Sequence, residues 1–105
     1  MNKTIEKKIQ PKYFIDILVY KKRFEIRKND CDYQVGDFVK LLEYDATTKK
    51  YTGNYILVEI TYVLKDIPEY GLNKDYCIFN FLIHECALND GEYVMRLRNN
   101  FGEIY

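Results

Sequence analysis

The chain has 105 residues and a mass of 12.7 kDa, the size of one domain. Sixteen Lys/Arg balance sixteen Asp/Glu, with 48 % apolar and 16 % aromatic residues, which excludes a disordered chain or a collagen-like or coiled-coil repeat. No apolar run approaches the ~20 residues of a membrane helix, and Met1-Asn2-Lys3-Thr4 has no apolar stretch behind it, so neither a membrane partner nor a signal peptide is expected.

Residues 4–9 read as a short strand. Pro11 suits the first position of a helix, where its missing N–H costs nothing, and Phe14, Ile17 and Leu18 at i, i+3, i+4 give that helix one apolar stripe to about Val19. Residues 23–28 alternate. Phe24 and Ile26 share one face and Arg23, Glu25 and Arg27 the other, so the apolar pair is expected inside. Asn29-Asp30-Cys31-Asp32 and Val35-Gly36-Asp37 are turn sequences before a strand at 38–44. A polar loop over 45–53 leads to a long strand at 55–64, apolar on both parities. Residues 66–74, with Pro68 and Gly71, read as an irregular connection to the apolar strand 77–83. Asn89-Asp90-Gly91 is a hairpin signal before a strand at 93–98, and Asn99-Asn100-Phe101-Gly102 turns into a tail.

Six strands, one early helix and no βαβ rhythm predict a mainly β (α+β) fold, a small antiparallel barrel of five to six strands with one N-terminal helix packed on it. Residues 1–105 form one domain in this reading, with 86–105 an unassigned C-terminal hairpin. The expected core is Phe14, Ile17, Leu18, Phe24, Ile26, Val39, Leu41, Ile56, Val58, Ile60, Phe79 and Phe81.

The zero net charge hides an asymmetry. Residues 1–28 carry nine Lys/Arg against Glu6, Asp16 and Glu25, a net +6, and residues 29–105 carry seven against thirteen acids, a net −6. A basic N-terminal quarter points to an anionic partner, or to ordinary solvated Lys around a strand and a helix. Cys31, Cys77 and Cys86 form no CxxC pair, so reduced thiols and a cytoplasmic location are expected. His84 stands alone, without Cys–His metal spacing, so no metal or other cofactor is expected.

The stretch from Asp16 to Asp30, with Lys22, Glu25 and Arg27, followed by Tyr33-Gln34-Val35-Gly36-Asp37, resembles the signature of the ASCH domains of the PUA-like superfamily. Within it the string is most similar to a small ASCH-like subfamily of unknown function found in phages and prophages. The resemblance covers about residues 5–83 and includes Tyr51-Thr52-Gly53, the run from Ile60 to Leu64, and Gly71-Leu72. Tyr20 stands where the family has Gly at the helix end, Ile5 where the subfamily often has His, and Lys8 keeps the subfamily's Lys. The resemblance implies a PUA-like β-barrel that binds RNA, nucleic acid or a modified nucleotide in a cleft between helix and barrel. The candidate binding residues are Lys8, Tyr20, Lys21, Lys22, Glu25, Arg27 and Lys28.

Two other functions compete. Some ASCH relatives are amidohydrolases of modified nucleosides, implied to use a Lys, a Thr and a Glu from a later helix. Lys22 matches the Lys, Glu25 replaces the Thr, and no later helix is expected, so the reading leans away from an enzyme; Lys22 and Glu25 are the candidate catalytic pair if one exists. The other competitor is a phage-type protein that binds or inhibits a host protein through its aromatic surface.

Overall fold

The computed structural model describes residues 2–88 and the backbone of residues 93–96. The elements run β1 (Thr4–Ile9), α1 (Pro11–Leu18), β2 (Phe24–Lys28), β3 (Phe38–Asp45), β4 (Lys50–Ile67), a 3-10 turn (Pro68–Tyr70), β5 (Leu72–Leu88) and β6 (Tyr93–Arg96). Among the described residues they form one mainly β unit with a single α-helix. The hairpin turn expected at 89–91, Arg98 and the tail from Asn99 lie outside the described residues. Among the described residues, no helix is long and apolar enough to cross a membrane.

The strand order is β1-β3-β4-β5-β2, with β6 beside β5. Two expectations are corrected here. The sheet is mixed rather than antiparallel throughout: β1 pairs with β3 in parallel, Thr4 opposite Phe38 and Ile9 opposite Glu43. A parallel pair needs a long crossover, and α1, β2 and the turns up to Asp37 supply it. The sheet is also not closed into a barrel, because β1 and β2 end the pairing order without pairing to each other.

The loops expected on both sides of β4 are tighter than their composition implies. Asp45 Oδ1 accepts the Thr47 amide at 2.9 Å, and Lys49 at φ 59° completes a turn that pairs Asp45 with Lys50. At the other end, the 3-10 turn and Gly71 at φ 89° bring Leu72 opposite Ile67. The β4–β5 hairpin therefore continues where an irregular connection was expected. Its register shifts between Leu57 and Val58, Ile60 and Tyr62, and Lys65 and Ile67 bend these long strands around the core.

The core is built from Ile9, Phe14, Ile17, Tyr33, Val39, Leu41, Ile56, Val58, Ile60, Cys77, Phe79, Phe81 and Cys86, with Leu18 partly buried against it. Burial pushes the Cys86 thiol up to about 12 and also raises that of Cys77, which keeps both protonated and inert.

A third correction concerns β2. Phe24 and Ile26 are 44 % and 55 % exposed, whereas Glu25 is 4 % exposed. The alternation is as expected, but its polar face points inward. The inversion is stable because Glu25 turns in with its own cations.

Candidate functional site: a cationic cleft at the open seam

The site begins at the end of α1. Tyr20 takes φ 65°, the left-handed conformation that commonly closes a helix and that Gly adopts without strain. The amides of Lys21 and Lys22 both donate to the Asp16 carbonyl, at 2.8 and 2.9 Å. That turn delivers Lys22 to the entrance of β2, three residues before Glu25.

Glu25 is the centre. Its Oε1 accepts from Arg27 Nε at 2.8 Å, and its Oε2 accepts from Lys22 Nζ. Lys22 Nζ also donates to the Phe24 carbonyl at 2.6 Å and lies between the Tyr13 and Phe24 rings, 5.5 and 4.9 Å from their centroids. Arg27 Nη2 donates to the Lys8 carbonyl at 2.9 Å, across the gap between β2 and β1. Lys7 Nζ makes a second, looser link to Asp30 at 3.4 Å. A buried carboxylate held between two partly buried cations is a pre-ordered platform, since each charge is fixed before any ligand arrives.

A cleft of about 370 Å³ opens over this platform. Lys22, Glu25 and Arg27 line it together with Lys8, Ile9, Gln10, Tyr13, Phe24 and Ile26. Three cations against one carboxylate leave it a net +2, and the Tyr13 and Phe24 rings give it aromatic walls. A neighbouring groove of about 420 Å³ shares Lys8 and Arg27 and runs on to Tyr51; there the Lys8 ammonium sits 4.1 Å from the Tyr44 centroid and 5.9 Å from that of Tyr51.

Of the seven residues singled out by sequence, Lys8, Lys22, Glu25 and Arg27 meet in this cleft. Tyr20, Lys21 and Lys28 do not line it. The Tyr20 ring packs partly on the core, with the Arg23 guanidinium 5.1 Å away, and Lys28 lies on the opposite face of β2 from Arg27. Gln10, Tyr13 and Phe24 were missed. The available signal was Tyr13 itself, a large aromatic at the edge of the Phe14–Ile17–Leu18 stripe and two residues past Pro11.

Gly36 and Asp37 act at a distance from the cleft. Gly36, at φ 96°, donates its amide to the Ile60 carbonyl at 2.8 Å, and Asp37 is 1 % exposed. Asp37 Oδ1 accepts the Lys3 amide at 3.0 Å, and its Oδ2 accepts Lys3 Nζ at 2.7 Å and the Gln34 amide at 3.0 Å. The pair therefore fixes the start of β3 and the entry of β1, which carries Lys8.

Fold and site together define a mainly β domain of one mixed sheet and one helix, with a cationic, aromatic-walled cleft at the sheet's open seam. The chain belongs to the family described as a domain of unknown function, DUF3850, which matches residues 4–81. No curated protein matches the chain.

Proposed function

We propose that the chain is an ASCH-like, PUA-like domain that binds nucleic acid or a nucleotide in the cleft between β1, α1 and β2. The sheet, in this reading, is an open relative of the PUA-like barrel, and ligand is held at its β1–β2 seam. The observation that carries it is the Lys22–Glu25–Arg27 cluster, buried enough to be rigid, open on one side and flanked by Lys8. Arg27, its Nε and Nη2 already held, keeps Nη1 to donate to a phosphate or a base acceptor edge, Lys8 adds an exposed charge, and Tyr13 and Phe24 offer ring faces to a base. Both oxygens of Glu25 are engaged by cations, which suits a platform better than a general base acting on water.

The test is a titration with mononucleotides and short single-stranded and hairpin RNAs, with DNA controls, at two salt concentrations. About three neutralised phosphates give log K a slope near −2 against log salt for a single strand. Arg27→Ala weakens binding more than Lys12→Ala, because Lys12 lies outside the cleft with its ammonium 5.0 Å from the Tyr13 centroid. Equal losses reduce the site to diffuse charge.

One observation favours a second reading, a surface for a host protein. On the outer face of the sheet, Phe24, Asn80 and Tyr62 form one cross-strand row, with Ile26, Tyr76 and Leu82 exposed beside it. Absence of binding to every nucleic acid and nucleotide at low salt favours this reading.

A further inference from the structure

Among the described residues three acidic side chains are buried: Glu25, Asp37 and Glu43. Glu25 has Lys22 and Arg27, and Asp37 has Lys3. Glu43 is 9 % exposed and has no cationic partner among the described residues. A buried charge is normally paired, because removing it from water is costly without an opposite charge.

The surroundings of Glu43 are built rather than accidental. The β3–β4 register breaks between Leu42 and Tyr44, so Leu42 faces Tyr55, Tyr44 faces Tyr51, and the segment Thr52-Gly53-Asn54 swings out opposite Glu43. Gly53 takes φ 96° there, and the Asn54 amide donates to Thr52 Oγ1 at 3.0 Å. Thr52 Oγ1 and Asn54 Nδ2 then both donate to Glu43 Oε1, each at 2.9 Å. Those two bonds orient the carboxylate, while Oε2 takes no donor among the described residues. Bulges of this kind are common where a strand re-aims a side chain. Glu43 lines a cleft of about 400 Å³ between the β3–β4 bulge and α1, whose apolar walls include Phe14, Ile15 and Leu18.

We propose that this cleft is a second binding site, separate from the cationic one, for a small organic cation: a primary ammonium carried on an apolar body. The ammonium supplies the counter-charge that Glu43 lacks among the described residues, donating to Oε2, and the body lies against Phe14, Ile15 and Leu18. The strand pattern carries a trace of it, since Val39, Leu41 and Glu43 share the buried parity of β3 and only the last is charged.

Two probes of matched shape test the site on the whole chain: benzylammonium and benzyl alcohol, followed by amide chemical shifts. The expected result is binding of benzylammonium about tenfold tighter than the alcohol, with shifts at Phe14, Thr52 and Asn54. Glu43→Gln, which keeps an acceptor for Thr52 and Asn54, is expected to remove that preference and leave the alcohol's affinity within about threefold. The probe pair on the unaltered chain decides the matter even where the variant fails to fold. Equal affinity for both probes, no shift with either, or a preference that survives in a folded Glu43→Gln overturns the proposal.

Discussion

Arg27 Nη2 donates to the Lys8 carbonyl at 2.9 Å, and this bond, with the looser Lys7–Asp30 pair at 3.4 Å, joins the two ends of the sheet. An arginine on β2 thus does across the seam what a strand ladder does elsewhere. The same guanidinium uses its Nε on Glu25, so the tighter link across the seam and the order in the cleft share one side chain.

Removing the carboxylate at the centre is therefore expected to be worse than removing either cation. Glu25→Ala leaves Lys22 and Arg27 half-buried without their counter-charge and should cost about 2–3 kcal/mol, below the range for a fully buried pair. Urea unfolding of Glu25→Ala, Lys22→Ala and Arg27→Ala checks the order. A Glu25→Ala loss no larger than those of the two cations contradicts it.

The inverted face of β2 separates two phenylalanines. Phe79→Ala empties a fully buried site and should cost about 3–5 kcal/mol, whereas Phe24→Ala removes a ring that is nearly half exposed and should cost about 1 kcal/mol or less. Phe24→Ala should still weaken ligand binding, because the ring walls the cleft. Denaturant midpoints and the titration above read the two effects separately.

Acid sensitivity has an identifiable source in Asp37. Burial pushes its carboxyl up, but the Lys3 ammonium and the amides of Lys3 and Gln34 outweigh burial and hold it below the usual carboxylate range. Its stabilising contribution is complete above the unfolded value, about 3.9, and is lost as pH falls through the lower folded value. Denaturant midpoints measured from pH 7 down to 2 should fall in the acid range. Asp37→Asn should be less stable at pH 7 and show a shallower acid decline.

Tyr33 gives a prediction of the opposite sign. Its ring is buried 4.9 Å from that of Phe79, its hydroxyl has no hydrogen-bond partner among the described residues, and burial strongly raises its pKa. Tyr33→Phe removes a buried polar atom that gains nothing, so thermal unfolding should show it as stable as the parent or more stable by up to about 1 kcal/mol. A clear loss of stability in Tyr33→Phe would show that the hydroxyl has a partner after all.

The element order was legible in the sequence because Pro11, the Phe14–Ile17–Leu18 stripe and the alternation in β2 and β3 are local signals. Which face of β2 turns inward was not. Alternation says that Phe24 and Ile26 are together, and hydrophobicity puts them inside; the Lys22 and Arg27 contacts that let Glu25 be buried instead depend on where α1 ends. The parallel pairing of β1 with β3 was hidden for a similar reason, since it rests on a contact between segments more than thirty residues apart. Half of the cleft followed from one continuous motif, Lys22 to Arg27. Tyr13 and Gln10 enter from the start of the helix, and the Glu43 site depends on a bulge that residue spacing does not announce.

The unpaired seam also has a kinetic meaning. β4 and β5 are joined by a short turn and form the longest ladder, so their contacts are cheap in chain entropy and suit an early folding nucleus. β1 and β2 each attach to the sheet along one edge only, and their distant partners make them the last strands to dock. In native-state hydrogen exchange their outer amides should open by local fraying, ahead of global unfolding, while those of Val58, Ile60 and Phe79 wait for the whole molecule. A ligand that occupies the cleft spans both strands, so its arrival should register first as slowed exchange along β1 and β2, without any change of shape.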